Sequence, residues 1–266
     1  MSLKIINKLK KDGFFVIQNY ISKLDCEEYE TILDKLEKRK RKKNEKYFND
    51  CINKGQVVLR DLICYDSKFL DLLSNKKILK LIFKIFEDQF IIDGVTGSRP
   101  LKLSKKHPKP HIDSHLPVNK FQNTLDIVLQ LCVNDFNEKN GATYFWKKSH
   151  LSGKKCQSQN VNFKLFKKKQ LKLKKGSLII FLGQTWHQLG KNYSGDKRWG
   201  VLFHLKRWWI KPSTNYSAFF SNQFSKFTNE QKMLLGFSSI SPKPFSKRLK
   251  TKIELKSLPK RYNKII

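Results

Sequence analysis

The sequence predicts an α+β, mainly β protein, with an antiparallel sandwich or barrel in the middle of the chain and helices on either side of it. Three observations carry this. Between about residues 90 and 206, short apolar and β-branched segments alternate with Gly, Pro, Asn and Asp turns. Ahead of them, apolar residues recur at helical spacing, and after Pro212 a helical pattern returns.

In chain order, residues 14 to 18 (FFVIQ) follow the turn pair Asp12-Gly13 and read as a short buried strand. Ser22 is a candidate N-cap for a helix carrying Leu24, Tyr29, Ile32, Leu33 and Leu36. The basic run 38 to 43 (KRKRKK) reads as the exposed helix end and a loop, where cations suit the C-terminal dipole. A second helical stretch, 67 to 87, aligns Phe69, Leu70, Leu73, Ile78, Leu81, Ile82 and Ile85, is interrupted near Ser74-Asn75, and is expected to pack on the sheet. Strands are expected at 90–92, 125–133, 142–146, 161–166, 177–182 and 199–206, a further helix at 215–235, and a basic, irregular tail at 242–266.

A single domain over 1–266 is expected, with a helical part at about 20–88, a β core at about 90–210 and a helical, basic tail at 211–266. No apolar run approaches the roughly 20 residues that span a bilayer, and the opening MSLKIINKLKKDGFF lacks a signal-peptide core, so a cytoplasmic location is expected. The five cysteines are odd in number and scattered, which favours reduced packing residues over a disulfide framework. Fifty-five Lys and Arg against 22 Asp and Glu give a net charge of +33, a field that attracts polyanions and anionic small molecules. Biased composition accounts for part of it, since Asn, Ile and Phe are also abundant, but not for the scarcity of acids.

The chemistry concentrates in two segments. In KPHIDSHLP (109–117), His111 and Asp113 are two apart, so on a strand both side chains share a face and can grip one metal ion. The third ligand is sought in GSLIIFLGQTWHQLGKNYSGDKRWG (176–200), where His187 follows a strong strand. Two histidines and a carboxylate form a facial triad that leaves positions open on iron(II). Arg198, eleven residues beyond His187, offers a planar fork suited to a carboxylate.

With these residues in place the chain resembles the phytanoyl-CoA dioxygenase-like oxygenases. The resemblance covers DGFFVIQN (12–19), His111-x-Asp113, NGATYFWKKSH (140–150), Gly176 through Arg198, and the ending in LLGF (234–237). It implies a cupin-like jelly roll, the double-stranded β-helix, buttressed by N-terminal and C-terminal helices. It further implies iron(II), 2-oxoglutarate and O2 as cofactor and co-substrates, with His111, Asp113 and His187 as catalytic metal ligands and Arg198 as the 2-oxoglutarate anchor. The implied reaction is hydroxylation of a C–H bond in a small-molecule or lipid-like substrate, with release of succinate and CO2; the basic surface suits an anionic one. Halogenating relatives replace the carboxylate with a small residue, so Asp113 argues for oxygenation. The family's Pro-Gly turn before Ser149-His150 is here Trp146-Lys147-Lys148, which alters that loop.

Other residues receive plainer readings. His150 reads as a structural hydrogen-bonding residue, His107 and His115 as decoys beside His111, and His204 as core or cavity lining. Asp126, Val128 and Gln130 share one strand face, inward or outward, while Trp186, Trp199, Trp208 and Trp209 read as packing residues. The alternative function is an inactive jelly-roll module that binds a polyanion such as nucleic acid; a third is a cupin-like metal enzyme that uses no keto acid.

Overall fold

The computed structural model describes residues 2–117 and 124–239. Helix α1 (Ser2–Asp12) leads into strand β1 (Phe14–Ile17), and α2 (Lys23–Lys43) follows. Ser22 caps α2 as its sequence suggests: its hydroxyl accepts from the Asp25 amide, while the Asp25 carboxylate accepts from the Ser22 amide. The basic run is wholly helical and ends at Asn44 in the left-handed conformation. Next come α3 (Lys46–Asn53), β2 (Gln56–Leu59), α4 (Lys68–Leu73) and α5 (Lys76–Phe86). The break at Ser74-Asn75 is where Asn75 caps α5 by accepting from the Lys77 amide.

The β region comprises β3 (Phe90–Pro100), β4 (Asp126–Cys132), β5 (Tyr144–Trp146), β6 (Lys168–Gln170), β7 (Leu178–Leu182), β8 (His187–Gln188) and β9 (Gly200–Arg207). They form an antiparallel six-stranded sheet, β1-β7-β4-β9-β3-β2, facing a three-stranded one, β6-β5-β8. The chain passes from one sheet to the other between β4 and β5, β6 and β7, β7 and β8, and β8 and β9, and the molecule is a jelly roll.

Two apolar layers follow from strand alternation. On the outer face of the large sheet, Val95, Ile127, Leu129, Ile180 and Phe203 pack with Leu33, Phe69 and Ile82 of the helices. On the inner face, Phe14, Val128, Phe145, Ile179 and Phe181 fill part of the space between the sheets. Asp126, Val128 and Gln130 are therefore on the inward face, a point the sequence left open.

Several expectations shift. The segment 161–166 is not a strand; Phe163–Leu165 is a 3-10 turn whose aromatic side chain packs on Trp146 and Trp186, and the strand forms just beyond it as β6. Helix 215–235 is broken into α6 (Tyr216–Phe219), a 3-10 turn (Ser221–Lys226) and α7 (Asn229–Leu234), the last capped by Thr228. Strand β3 runs to Pro100, through an irregularity between Ile92 and Gly94. Trp186 and Trp199 are buried as expected, but Trp208 and Trp209 are exposed, because they stand in the turn after β9 where no element covers them. The tail 242–266 lies outside the described residues. No described helix is long and apolar enough to cross a membrane.

Candidate metal centre

Backbone pairing builds the centre. His111 and His187 form an antiparallel bridge, each amide donating to the other's carbonyl at 2.9 and 3.0 Å. The amides of Asp113 and Ser114 both donate to the carbonyl of Gly183, 3.0 Å away. Three side chains from distant parts of the chain thereby meet: Asp113 Oδ1 lies 3.6 Å from His111 Nε2 and 3.4 Å from His187 Nε2, with one donor atom of each residue within 4.8 Å of the others. Bonds of about 2.1 Å at roughly right angles to one ion place such donors about 3 Å apart, so the spacing suits a shared metal.

The protonation pattern agrees. Nδ1 of His111 is 2.9 Å from the Lys109 carbonyl, and Nδ1 of His187 is 3.0 Å from that of Thr185. A carbonyl only accepts, so each Nδ1 carries a proton and each Nε2 is the nitrogen turned toward Asp113, the one that would bind an ion there. For Asp113, burial opposes ionisation, but His187 outweighs it and holds the carboxyl far below the usual carboxylate range. Burial and the neighbouring His187 push His111 down, while for His187 the effect of burial is exceeded by Asp113, which raises it. Asp113 Oδ2 is buried with no partner among the described residues, a position a cation would satisfy. Phe145 and Phe181 stack around His187, with ring centroids 5.7 and 4.9 Å away, and fix its plane.

Arg198 is fully buried just before β9. One Nη2 proton goes to the Thr143 hydroxyl, and the guanidinium lies 3.6 Å from the centre of the Phe136 ring. Nε and Nη1 have no partner among the described residues, and burial pushes the group down to about 9, which leaves it cationic at neutral pH. A buried cation with two unused donors is a site for an anion. Thr143 stands two residues before Phe145, whose register partner is His187, so the anion site and the metal centre share one wall.

His150 Nε2 donates to the Lys10 carbonyl, 2.9 Å away, a structural role, and His107 Nε2 is 3.1 Å from the Gln188 amide. His107 and His115 are outside the ligand group. His204, paired in register with Val128, lies on the inner face of the large sheet, 3.5 Å from Thr96 Oγ1. Sequence reasoning missed Thr143 and Phe136; the alternation Thr143-x-Phe145 was the available signal, while Phe136 reaches Arg198 only through tertiary structure.

Comparison with known proteins places these features in context. A family profile described as phytanoyl-CoA dioxygenase matches residues 9–200. An uncharacterized protein of Saccharomyces cerevisiae is 23% identical over 234 residues, which is 79% of this chain and 66% of that protein, so the chain spans just under two thirds of that relative. Among solved structures, the epimerase SnoN in complex with Fe3+, alpha ketoglutarate and nogalamycin RO aligns with a TM-score of 0.64 at 13% identity, over 80% of this chain and 86% of its own. The alpha ketoglutarate dependent carbocyclase SnoK gives 0.60 at 11% identity, covering 84% and 90%. The non-heme monooxygenase ThoJ gives 0.63 at 13%, covering 79% and 80%. At these identities the likeness is one of fold.

Proposed function

Because the chain belongs to the phytanoyl-CoA dioxygenase family, we propose that it is an iron(II)- and 2-oxoglutarate-dependent dioxygenase that hydroxylates a C–H bond of a small molecule, with His111, Asp113 and His187 as the metal ligands and Arg198 as the co-substrate anchor. The observation that supports this best is the pairing of a His-Asp-His donor group with a buried guanidinium that has unused donors. The residues fit the iron: two neutral imidazole nitrogens and one carboxylate, with an orphaned Asp113 oxygen among them. When bound, iron activates O2 at the expense of 2-oxoglutarate, yielding succinate, CO2 and the oxidant for the substrate.

The protein's own part is placement. His111 and His187 present Nε2 because carbonyls hold their Nδ1 protons, and Asp113 stays ionised over the whole working range of pH. Arg198, with Nε and Nη1 unpaired among the described residues and the Thr143 hydroxyl adjoining it, would hold the far carboxylate of 2-oxoglutarate. Phe145 and Phe181 shield the ligand face from water, which strengthens every charge interaction there. The epimerase SnoN and the carbocyclase SnoK share the fold, so product analysis is what separates hydroxylation from other outcomes.

The test is succinate and CO2 release from 2-oxoglutarate by the purified protein under air with added iron(II). Iron-dependent release is expected. The net charge of +33 favours the polyanion-binding module as the second reading, and absence of any release alongside salt-sensitive RNA binding would establish it instead.

A further inference from the structure

Between Trp146 and Gln170, residues 147–169 contain eight lysines and no acid. Lys147 is paired with Asp12, 3.2 Å away; the other seven are exposed and have no acidic partner among the described residues. The basic run of α2 differs, because it stands between Glu37 and Glu45, which pair with Arg41 and Lys40.

The acid-free segment is folded onto one side chain. Trp186, the neighbour of His187, donates from its amide to the Ser149 hydroxyl at 2.8 Å and from its indole Nε1 to the Lys154 carbonyl at 2.9 Å. Phe163 and Phe166 pack on the same indole, with ring centroids 5.2 and 5.0 Å away, and the Lys147 amide donates to the Lys167 carbonyl. Two 3-10 turns, Ser149–Ser152 and Phe163–Leu165, are thereby fixed around one tryptophan. Each leaves a leucine outside: Leu151 is 55% exposed although His150 beside it is buried, and Leu165 is 74% exposed between the packed Phe163 and Phe166. A single exposed leucine is ordinary. Leu24 on α2 is one, but its neighbours Asp25, Glu27 and Glu28 would repel an anionic surface, whereas Leu151 and Leu165 stand among lysines that no acid answers.

The lysines suit an anionic partner, and the leucines decide which kind. Nucleic acid takes lysines at its phosphates and aromatic rings at its bases, but gives an exposed leucine nothing to enter. A bilayer of anionic lipid takes both, the ammonium groups at its headgroups and the leucines just below them. We infer that the two turns around Trp186, together with the adjoining lysines of β6, dock the protein on an anionic membrane surface, with Leu151 and Leu165 entering the headgroup boundary. Gln157 of the same segment donates to the carbonyl of Pro110, the residue before His111, so the docked face adjoins the metal centre. The inference goes beyond the oxygenase reading and does not depend on it.

The test is co-sedimentation of the full chain with phosphatidylcholine vesicles prepared with and without phosphatidylserine. A net charge of +33 attracts any anionic vesicle, so the decision falls to variants matched in charge. Binding that requires phosphatidylserine is expected. The triple variant Lys164→Gln, Lys167→Gln, Lys169→Gln should weaken it at least about tenfold, and the triple variant Lys38→Gln, Lys42→Gln, Lys43→Gln on α2 by less than about threefold. Leu151→Ser with Leu165→Ser leaves the charge unchanged and should weaken it by on the order of tenfold. All eight positions are exposed, and circular dichroism checks that each variant is folded. Equal losses from the two lysine triplets, undiminished binding by the leucine variant, or binding indifferent to phosphatidylserine overturns the inference. Absence of vesicle binding, with salt-sensitive binding of a single-stranded RNA that the first lysine triplet abolishes, overturns it in favour of a nucleic-acid surface.

Discussion

Arg198 shows what a binding residue costs the fold. Among the described residues, a buried guanidinium whose Nε and Nη1 are unpaired is held against its desolvation penalty by Thr143 and the Phe136 ring. Arg198→Met, similar in length but uncharged, should raise folding stability by on the order of 1 kcal/mol in denaturant titration and at the same time raise the 2-oxoglutarate concentration needed for half-maximal turnover at least about tenfold. A variant that loses stability and keeps its affinity would remove Arg198 from the anchor position. Residues of this kind differ in how visible they are in sequence. His111 and Asp113 are legible because strand alternation puts residues two apart on one face. His187 and Arg198 are legible from their order and spacing after β7. Thr143 and Phe136 are not, because their contacts with Arg198 span 55 and 62 residues of chain and exist only once the sheets close.

Among the elements, α2 is tied to the sheet by apolar and ionic contacts together. Leu33 packs against the bare backbone of Gly97, and one turn on, the buried Glu37 accepts from Arg41 on its own helix and from Arg99 on β3 through both carboxylate oxygens. Glu37→Ala leaves Arg99 without its carboxylate and should cost about 2 kcal/mol, discounted for the partial exposure of Arg41, with little change in iron content. Chemical denaturation of the two proteins side by side measures it; an unchanged midpoint would show that α2 is held by packing alone. Long, periodic elements such as α2, with its Ser22 cap, and α5 are legible because local chemistry decides them. The 3-10 turn at Phe163–Leu165 and the broken helix after Pro212 are not, since Phe163 seeks Trp146 and Trp186 on the small sheet, and Phe220 and Phe227 pack on each other across the break. Helix α1 carries no flanking signal of its own; its ordering depends on Ile5 and Leu9 joining the helix-covered core.

For the whole molecule, the single domain expected from chain length becomes a proposal about cooperativity, supported by one apolar cluster that runs from Ile5 of α1 to Leu235 after α7. Calorimetry near neutral pH should give one transition; two resolved transitions would separate the helices from the jelly roll. Acid should weaken it. Burial opposes the charge on Asp93, but Lys206 and Ser213 outweigh this and lower its pKa, and Asp12 is lowered likewise against burial by Lys8 and Lys147. A depressed folded-state pKa contributes stability that is present above the unfolded carboxylate value of about 3.9 and is lost as pH falls through the folded value. The melting temperature should therefore hold between about pH 7 and 5 and fall below about pH 4, where growing positive charge adds repulsion. The central claim, that two histidines and an aspartate hold one iron, is tested most directly by metal content after anaerobic loading with iron(II) and desalting. One iron per chain is predicted for the natural protein and close to none for Asp113→Ala and for His187→Ala, both still folded by circular dichroism; a full equivalent retained by either variant would contradict the account.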